Sequence, residues 1–377
     1  MPEPDAELTS AGPPLREFPV FWLRDNCGCA SCRDPGNGQK LFQITDLPAD
    51  LAIGSEQVTE TGGGPAYEVR WRPDGHRSCY SWAWLSAAGS AAAQDDGDGR
   101  TEDAKQLWTA GYFAQRPLPE AAWAAYAGAD AERLRILDAV ARLGFALLRG
   151  VPAVAGQVLA VAQTFGFVRE TNYGRLFDVR VEEDPNNLAF TRAAISPHTD
   201  NPYRDPVPTV QLLHCLTGSA PGGDSGLVDG FAAAAALRAE DPAAFAVLTR
   251  TPVPFRFTDA RTELRADQPL IGLDCRGRIR EVRFNNRSAG TLRLPPAETA
   301  AFYRAYRSFA ALLLRPGLRL EFRLAPGDCL IFDNTRLLHA RTAFLAQGRR
   351  HLQGCYADLD GLASTRAKLR GAGTARA

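Results

Sequence analysis

The chain has no excess charge of either sign, with 43 lysines and arginines against 43 aspartates and glutamates. Nucleic-acid and anionic-membrane partners normally leave a basic imprint, so neither is expected. No run of about 18 apolar residues occurs, the length a membrane-crossing helix needs, so no membrane span is expected. The opening text MPEPDAELTSAGPP is acidic and proline-rich and lacks the basic-then-apolar profile of a secretory signal. A cytoplasmic location is the resulting expectation. Internal repeats are absent. Histidine is scarce, with five in 377 residues, so each can be weighed singly.

The apolar fraction of 45% and charged fraction of 23% are ordinary for a globular chain and sufficient for a sizeable core. The length favours two domains, or one large domain with an appended module. Of the eight cysteines, three crowd at Cys27, Cys29 and Cys32 and the rest are scattered. Under reducing conditions such a cluster reads as a metal site rather than as disulfides.

Turn signals and composition divide the chain. Residues 1–17 read as a flexible arm, and residues 18–85 as a small β module built from FPVFWL, QKLFQIT, YEVRWR and CYSWAWL. Residues 86–106 read as a linker, because SAAGSAAAQDDGDGRTE has no apolar period. Residues 107–377 open with a helical pattern in AERLRILDAVARLG, stopped by Gly144. They continue with the strand FALLRGVP and the helix VLAVAQTFG. From Tyr173 onward most text alternates as strands: LAFT, TVQLLHCLT, GLVDGF, VPFRF, RIREVRF, LRLEFRL, GDCLIFDN and HLQGCYAD. Helical inserts FAAAAALRAEDPAAFAVLTR and AETAAFYRAYRSFAALLL interrupt them. The expected fold is mainly β with flanking helices, a sandwich or jelly-roll barrel with helical support.

Within that β text, SPHTDNPYRDP sets His198 and Asp200 two residues apart. In an extended strand both side chains point to one face and can reach one ion. His339, after the strand-turn-strand text GDCLIFDNTRLLHART, is the candidate third ligand. Two histidines and a carboxylate on one face of an ion form the triad suited to Fe(II) oxygen chemistry. Arg350, eleven residues beyond His339, is placed to clamp a carboxylate in bidentate fashion, with Arg341 and Arg349 as rivals. The bland alternatives are a loop hydrogen-bond pair for His198 and Asp200 and a satisfied core histidine for His339. His214 and His351 fall in that bland class.

With these residues in place, the chain resembles the γ-butyrobetaine hydroxylase branch of the taurine dioxygenase-like family over nearly its whole length. The matching text is FWLRDNCGCASCRDP, RETNYGRLFDV, HTDNPYRDPVPTVQLLHCL, GGDSGLVDGF, FNNRS, FDNTRLLHARTAF and RHLQGCYADLDG. The resemblance implies a double-stranded β-helix catalytic domain behind a small zinc-binding β domain. It implies Fe(II) on His198, Asp200 and His339, 2-oxoglutarate on Arg350, O2 as co-substrate, and a homodimer. It also implies a structural zinc on Cys27, Cys29, Cys32 and His76, a closed set of four N/S ligands. Cys79 competes with His76 for the fourth place.

A quaternary ammonium cannot donate hydrogen bonds and is held by aromatic faces. The resemblance places Tyr173, Phe177, Phe190 and Tyr356 as such a cage, where core packing is the plainer alternative. Asn187, Asn285 and Asn286 are candidates for the substrate's anionic end. Two departures bear on the substrate. Phe177 and Phe190 stand where γ-butyrobetaine hydroxylases carry Trp and Tyr, and Asn201 stands where they carry an apolar or aromatic residue. Asn201 and Arg287 add donors and charge that suit a tetrahedral dianion, a pattern similar to 2-(trimethylammonio)ethylphosphonate hydroxylases. The expected reaction is hydroxylation of a small trimethylammonium zwitterion, either that phosphonate or γ-butyrobetaine. Trimethyllysine is a third candidate. A tailoring oxygenase for another amine and a non-catalytic binding module are the alternatives from other classes.

Overall fold

The computed structural model describes residues 12–93, 105–181, 191–345 and 347–374. Among the described residues, no helix is long and apolar enough to cross a membrane. The chain divides between two compact units, one within Met1–Glu102 and the other within Asp103–Ala377. The strand text LAFT lies largely outside the described residues, as do most of the arm and the acidic part of the linker.

The first unit is a three-stranded antiparallel sheet, β1 (Ala52–Thr61), β2 (Gly64–Arg72) and β3 (Arg77–Ser81), with helices α1 (Val20–Asp25) and α2 (Trp82–Ala93). Two expectations are corrected here. FPVFWL, read as β-prone, runs into helix α1, because Pro19 is accommodated as a helix N-cap and Leu23 is then buried in the core. QKLFQIT forms no strand and holds a single 3-10 turn, Ile44–Asp46. Residues 86–93, read as linker, are the last eight of the 12 residues of α2; an alanine-rich run needs no apolar period to favour helix. Trp71 and Leu23, both fully buried, centre the unit's small core.

The second unit is a β-sandwich. In chain order its strands are β4 (Glu120–Ala122), β5 (Phe145–Arg149), β6 (Phe177–Arg180), β7 (Ile195–His198), β8 (Val210–Gly218) and β9 (Ser225–Asp229). The hairpins β10–β11 (Val253–Thr258, Glu263–Gln268) and β12–β13 (Ile271–Leu273, Ile279–Val282) follow, then β14 (Arg319–Phe322), β15 (Cys329–Asp333), β16 (Leu337–Arg341) and β17 (Arg350–Ala357). One sheet has the order β4-β5-β15-β8-β17-β6 and the other β14-β9-β16-β7. This is the jelly-roll arrangement that the alternating text implied.

Burial explains the layering. β15 is buried along its whole length: Leu330 and Phe332 meet Leu227 and Leu337 of the other sheet, while Cys329 and Ile331 face helices. A strand covered on both faces reads as a continuous apolar run, as CLIF does. The outer face of that sheet is covered by α3 (Asp130–Leu143), whose Ile136, Leu137 and Val140 form one stripe, and by α4 (Gln157–Gln163). Gly144 ends α3 at φ 88°, and a Cβ there would meet Leu337 at 3.0 Å, so the stop signal is also a packing requirement. The four-stranded sheet is backed by three helices. The helical insert FAAAAALRAEDPAAFAVLTR forms two helices, divided where Asp241 caps the second and Pro242 begins it.

Candidate functional site

The paired register of β16 and β7 sets His339 directly opposite His198, with ring centroids 4.1 Å apart. Asp200 lies just past the end of β7, so same-face alternation along a strand does not place it. Asn334 does: its Oδ1 accepts the Asp200 backbone N–H (2.8 Å) and its Nδ2 donates to the Asp200 carbonyl (3.0 Å). Asn334, in the FDN turn between β15 and β16, is a residue that motif reading passed over. The Asp200 Oδ1 atom then lies 3.4 Å from His198 Nε2 and 4.0 Å from His339 Nε2. One ligand atom from each of the three lies within 4.8 Å of the others.

The protonation states suit a cation. His198 Nδ1 donates to the Ser196 carbonyl (2.9 Å), which turns Nε2 toward the carboxylate. Burial, with His198 alongside, pushes His339 down to about 3, so it is neutral. Burial alone would raise the Asp200 carboxyl, but His339, His198 and the Tyr356 hydroxyl outweigh it and hold it below the usual range. An anionic carboxylate and two imidazoles on one face are the donor set of a divalent-metal triad.

The triad opens into a cavity of about 530 Å³, within the range typical of small-molecule sites. Tyr173, Phe177 and Tyr356 form an aromatic corner, with Phe177 5.1 Å from Tyr356 and 6.3 Å from Tyr173 between ring centroids. Phe257, from hairpin β10–β11, extends it at 5.7 Å from Tyr173. Polar groups line the rest: Asn201, Tyr203, Asn285, Arg256, Arg287 and Ser288. Asn201 adopts the left-handed φ of 55°. Its Oδ1 accepts the Tyr203 hydroxyl at 2.9 Å, and its buried Nδ2 has no partner among the described residues.

In the first unit, Cys27, Cys29 and Cys32 place their Sγ atoms 3.4, 3.6 and 3.4 Å from His76 Nε2. Zn–S bonds of about 2.3 Å and Zn–N bonds of about 2.0 Å make the S–N edge of a tetrahedron about 3.5 Å, so the cluster fits zinc. Cys79 is exposed on β3 and outside the cluster. Buried Arg24 donates to Cys32 Sγ at 3.1 Å and lies 3.6 Å from Asp74, whose Oδ1 accepts the His76 N–H. Three thiolates and zinc carry a net negative charge, which Arg24 offsets. Arg24→Ala is expected to speed zinc transfer to a colorimetric chelator about tenfold; an unchanged rate would show the guanidinium to be irrelevant to metal retention.

Residues 110–356 match the family described as Taurine catabolism dioxygenase TauD, TfdA family, and residues 11–86 match Gamma-butyrobetaine hydroxylase-like, N-terminal. The gamma-butyrobetaine dioxygenase of Pseudomonas sp. (strain AK-1) is 38% identical, covering 95% of this chain and 91% of that protein. Dioxygenase str8 of Strobilurus tenacellus is 31% identical, over 92% of this chain and 83% of that protein. Trimethyllysine dioxygenase of Meyerozyma guilliermondii is likewise 31% identical, over 92% and 89%. The chain belongs to the TauD, TfdA family. As a TauD, TfdA-family enzyme it is a 2-oxoglutarate-dependent dioxygenase that works with Fe(II) and O2.

The co-substrate side fits this TauD, TfdA assignment. Arg350 begins β17 and lines the cavity; its described hydrogen bond goes to the Gly223 carbonyl (3.2 Å), and no described carboxylate pairs with it. Burial lowers its pKa, the mark of a cation short of a counter-charge. Gly223, at φ 75°, is required beside it, because a Cβ there would meet the Arg350 Cδ at 2.9 Å. Arg341 also lines the cavity, but its Nη2 holds the carbonyls of Thr191 and Ala193 (2.7 and 2.8 Å). Arg349 is exposed and outside the cavity lining.

The remaining candidates sort by place. Tyr173, Phe177, Asn201, Asn285, Arg287 and Tyr356 line the cavity of the TauD, TfdA domain. Asn286 is a correction: it is exposed and outside the lining, while buried Asn285 turns inward and donates to the Thr199 carbonyl (3.0 Å). In the FNN text the two asparagines are indistinguishable, and only the turn decides between them. Asn187 and Phe190 lie outside the described residues. His214 is buried on β8, and His351 bonds to Asp178 at 2.6 Å. Beyond Asn334, the residues passed over are Tyr203 and Gln211, which lie in motif text read for other residues, and Arg256 and Phe257, which have no family motif around them.

Proposed function

We propose that this enzyme hydroxylates an unactivated C–H bond of a small trimethylammonium zwitterion, with 2-(trimethylammonio)ethylphosphonate as the substrate favoured by its own side chains. His198, Asp200 and His339 hold Fe(II), Arg350 holds the distal carboxylate of 2-oxoglutarate, and Cys27, Cys29, Cys32 and His76 hold zinc. The observation that carries this reading is one cavity lined by both an aromatic corner and unpartnered or cationic donors. When bound, Fe(II), 2-oxoglutarate and O2 supply the oxidising power, and the balance is substrate, 2-oxoglutarate and O2 to hydroxylated substrate, succinate and CO2.

The chain's own residues bind and orient. The faces of Tyr173, Phe177 and Tyr356 attract the quaternary ammonium without hydrogen bonds. Phe190 and Asn187 belong to the same expectation. The Asn201 Nδ2 group and the Arg287 guanidinium meet the anionic end, with Asn286 ranked below Asn285 because of its exposure. With Arg350 given to 2-oxoglutarate and Asp200 to the metal, Arg256, Arg287 and Arg341 outnumber Asp178 among the other charged residues of the lining, which favours a dianionic group over a carboxylate. γ-Butyrobetaine remains the second reading, favoured by the 38% identical gamma-butyrobetaine dioxygenase. Trimethyllysine ranks third.

The test is succinate release by iron-loaded protein with 2-oxoglutarate and O2, comparing the three compounds. A hydrogen bond to a charged group contributes about 1.5–3 kcal/mol, so Arg287→Ala is expected to lower kcat/KM for the phosphonate about 10- to 100-fold. The loss for γ-butyrobetaine is expected to be smaller. Equal losses would remove the case for the phosphonate; no coupling to any of the three would remove the trimethylammonium reading and leave a tailoring oxygenase or a binding module. A homodimer acting in the cytoplasm completes the proposal, and light scattering checks the dimer.

A further inference from the structure

Tyr356 presents two chemically separate parts to the site. Its ring packs 5.1 Å from Phe177 in the aromatic corner, while its hydroxyl donates to Asp200 Oδ2 at 2.9 Å. The same oxygen accepts Gln211 Nε2, also at 2.9 Å. A carboxylate can only accept, so the nitrogen of the Gln211 amide is the atom that faces it. Tyr356 and Gln211 are cross-strand partners in the register of β17 and β8, and both are buried. The two donors therefore sit on adjacent strands of one sheet and reach Asp200 from the same side.

Each carboxylate oxygen offers about two lone-pair directions, and on Oδ2 both are taken. Only Oδ1 faces the imidazoles, 3.4 Å from His198 Nε2. We infer that Tyr356 and Gln211 are positioning residues that restrict Asp200 to a one-oxygen metal ligand. The purpose follows from counting positions around an octahedral ion. With Fe(II) and 2-oxoglutarate bound, two imidazoles, one carboxylate oxygen and a two-oxygen co-substrate would leave a single place for O2. A carboxylate binding through both oxygens would fill it. Tyr356 thereby also places one rigid ring between the aromatic corner and the metal carboxylate.

This inference rests on the metal reading of the triad, and the experiment separates the two. Mn(II) prefers oxygen and nitrogen ligands and does not displace zinc from a thiolate set. Mn(II) is titrated into zinc-loaded protein with 2-oxoglutarate present, and free Mn(II) is followed by electron paramagnetic resonance. Tyr356→Phe keeps the ring and removes the donor; Gln211→Leu removes the other donor at similar size. Each is expected to weaken Mn(II) binding about tenfold or more, and the double variant further. With Fe(II), Tyr356→Phe is expected to raise the ratio of succinate to hydroxylated product. Unchanged Mn(II) affinity in both single variants and in the double variant would overturn the inference. Wild-type protein that bound no Mn(II), or bound it equally well after Asp200→Ala, would overturn the metal reading and the inference with it.

Discussion

Asp200→Ala is expected to abolish measurable hydroxylation and to weaken Fe(II) binding between about 10²- and 10⁴-fold. The estimate follows from the cost of removing one partner of a buried charge interaction, about 3–5 kcal/mol, at about 1.4 kcal/mol per tenfold. The substitution removes the only carboxylate of the triad and leaves the facing imidazoles of His198 and His339 without an anion between them. It also strands the Tyr356 hydroxyl and the Gln211 amide, both of which lose an acceptor at 2.9 Å. Anaerobic metal titration and product analysis check the two parts separately. Retained Fe(II) affinity in this variant would remove Asp200 from the ligand set.

Zinc removal is the second large effect. The first unit buries a small core around Trp71 and Leu23, and a domain of this size gains little from apolar burial alone. Structural zinc contributes about 10–16 kcal/mol of apparent binding energy that the unfolded chain does not gain. Stripping zinc, or replacing Cys32 with Ser, is therefore expected to unfold this unit while the β-sandwich retains its own transition. The protein carries its own reporter. Four of its six tryptophans, Trp22, Trp71, Trp82 and Trp84, belong to the first unit, so fluorescence is expected to shift strongly to the red. Unshifted emission from protein shown by elemental analysis to be free of zinc would mean that the core holds itself.

Segments legible in the sequence and segments that mislead differ in the physical information that selects their structure. The strands of the sandwich were legible because burial on one or both faces leaves an alternating or continuous apolar trace, as in TVQLLHCLT and CLIF. FPVFWL misled because aromatic and β-branched residues are neutral between a short buried helix and a strand until a core selects one. The Ala-rich part of α2 left no periodic trace to read. Asn285 and Asn286 differ only in which one a turn directs inward. Tyr356 was legible as an aromatic and illegible as a donor, because the carboxylate it meets belongs to a distant strand end.

The sequence by itself determined the chemistry available. A metal site demands particular donor atoms, and with so few histidines and one cysteine cluster only a few combinations can supply them; the family motifs follow from the same restriction. Tertiary structure alone decided how those donors are used. It set His339 opposite His198 in one register, fixed the Asp200 backbone through Asn334, and left one carboxylate oxygen facing the imidazoles while Tyr356 and Gln211 took the other. The reason is directional: a residue's type states which bonds it can make, but the direction of each bond is set by strands far apart in the chain.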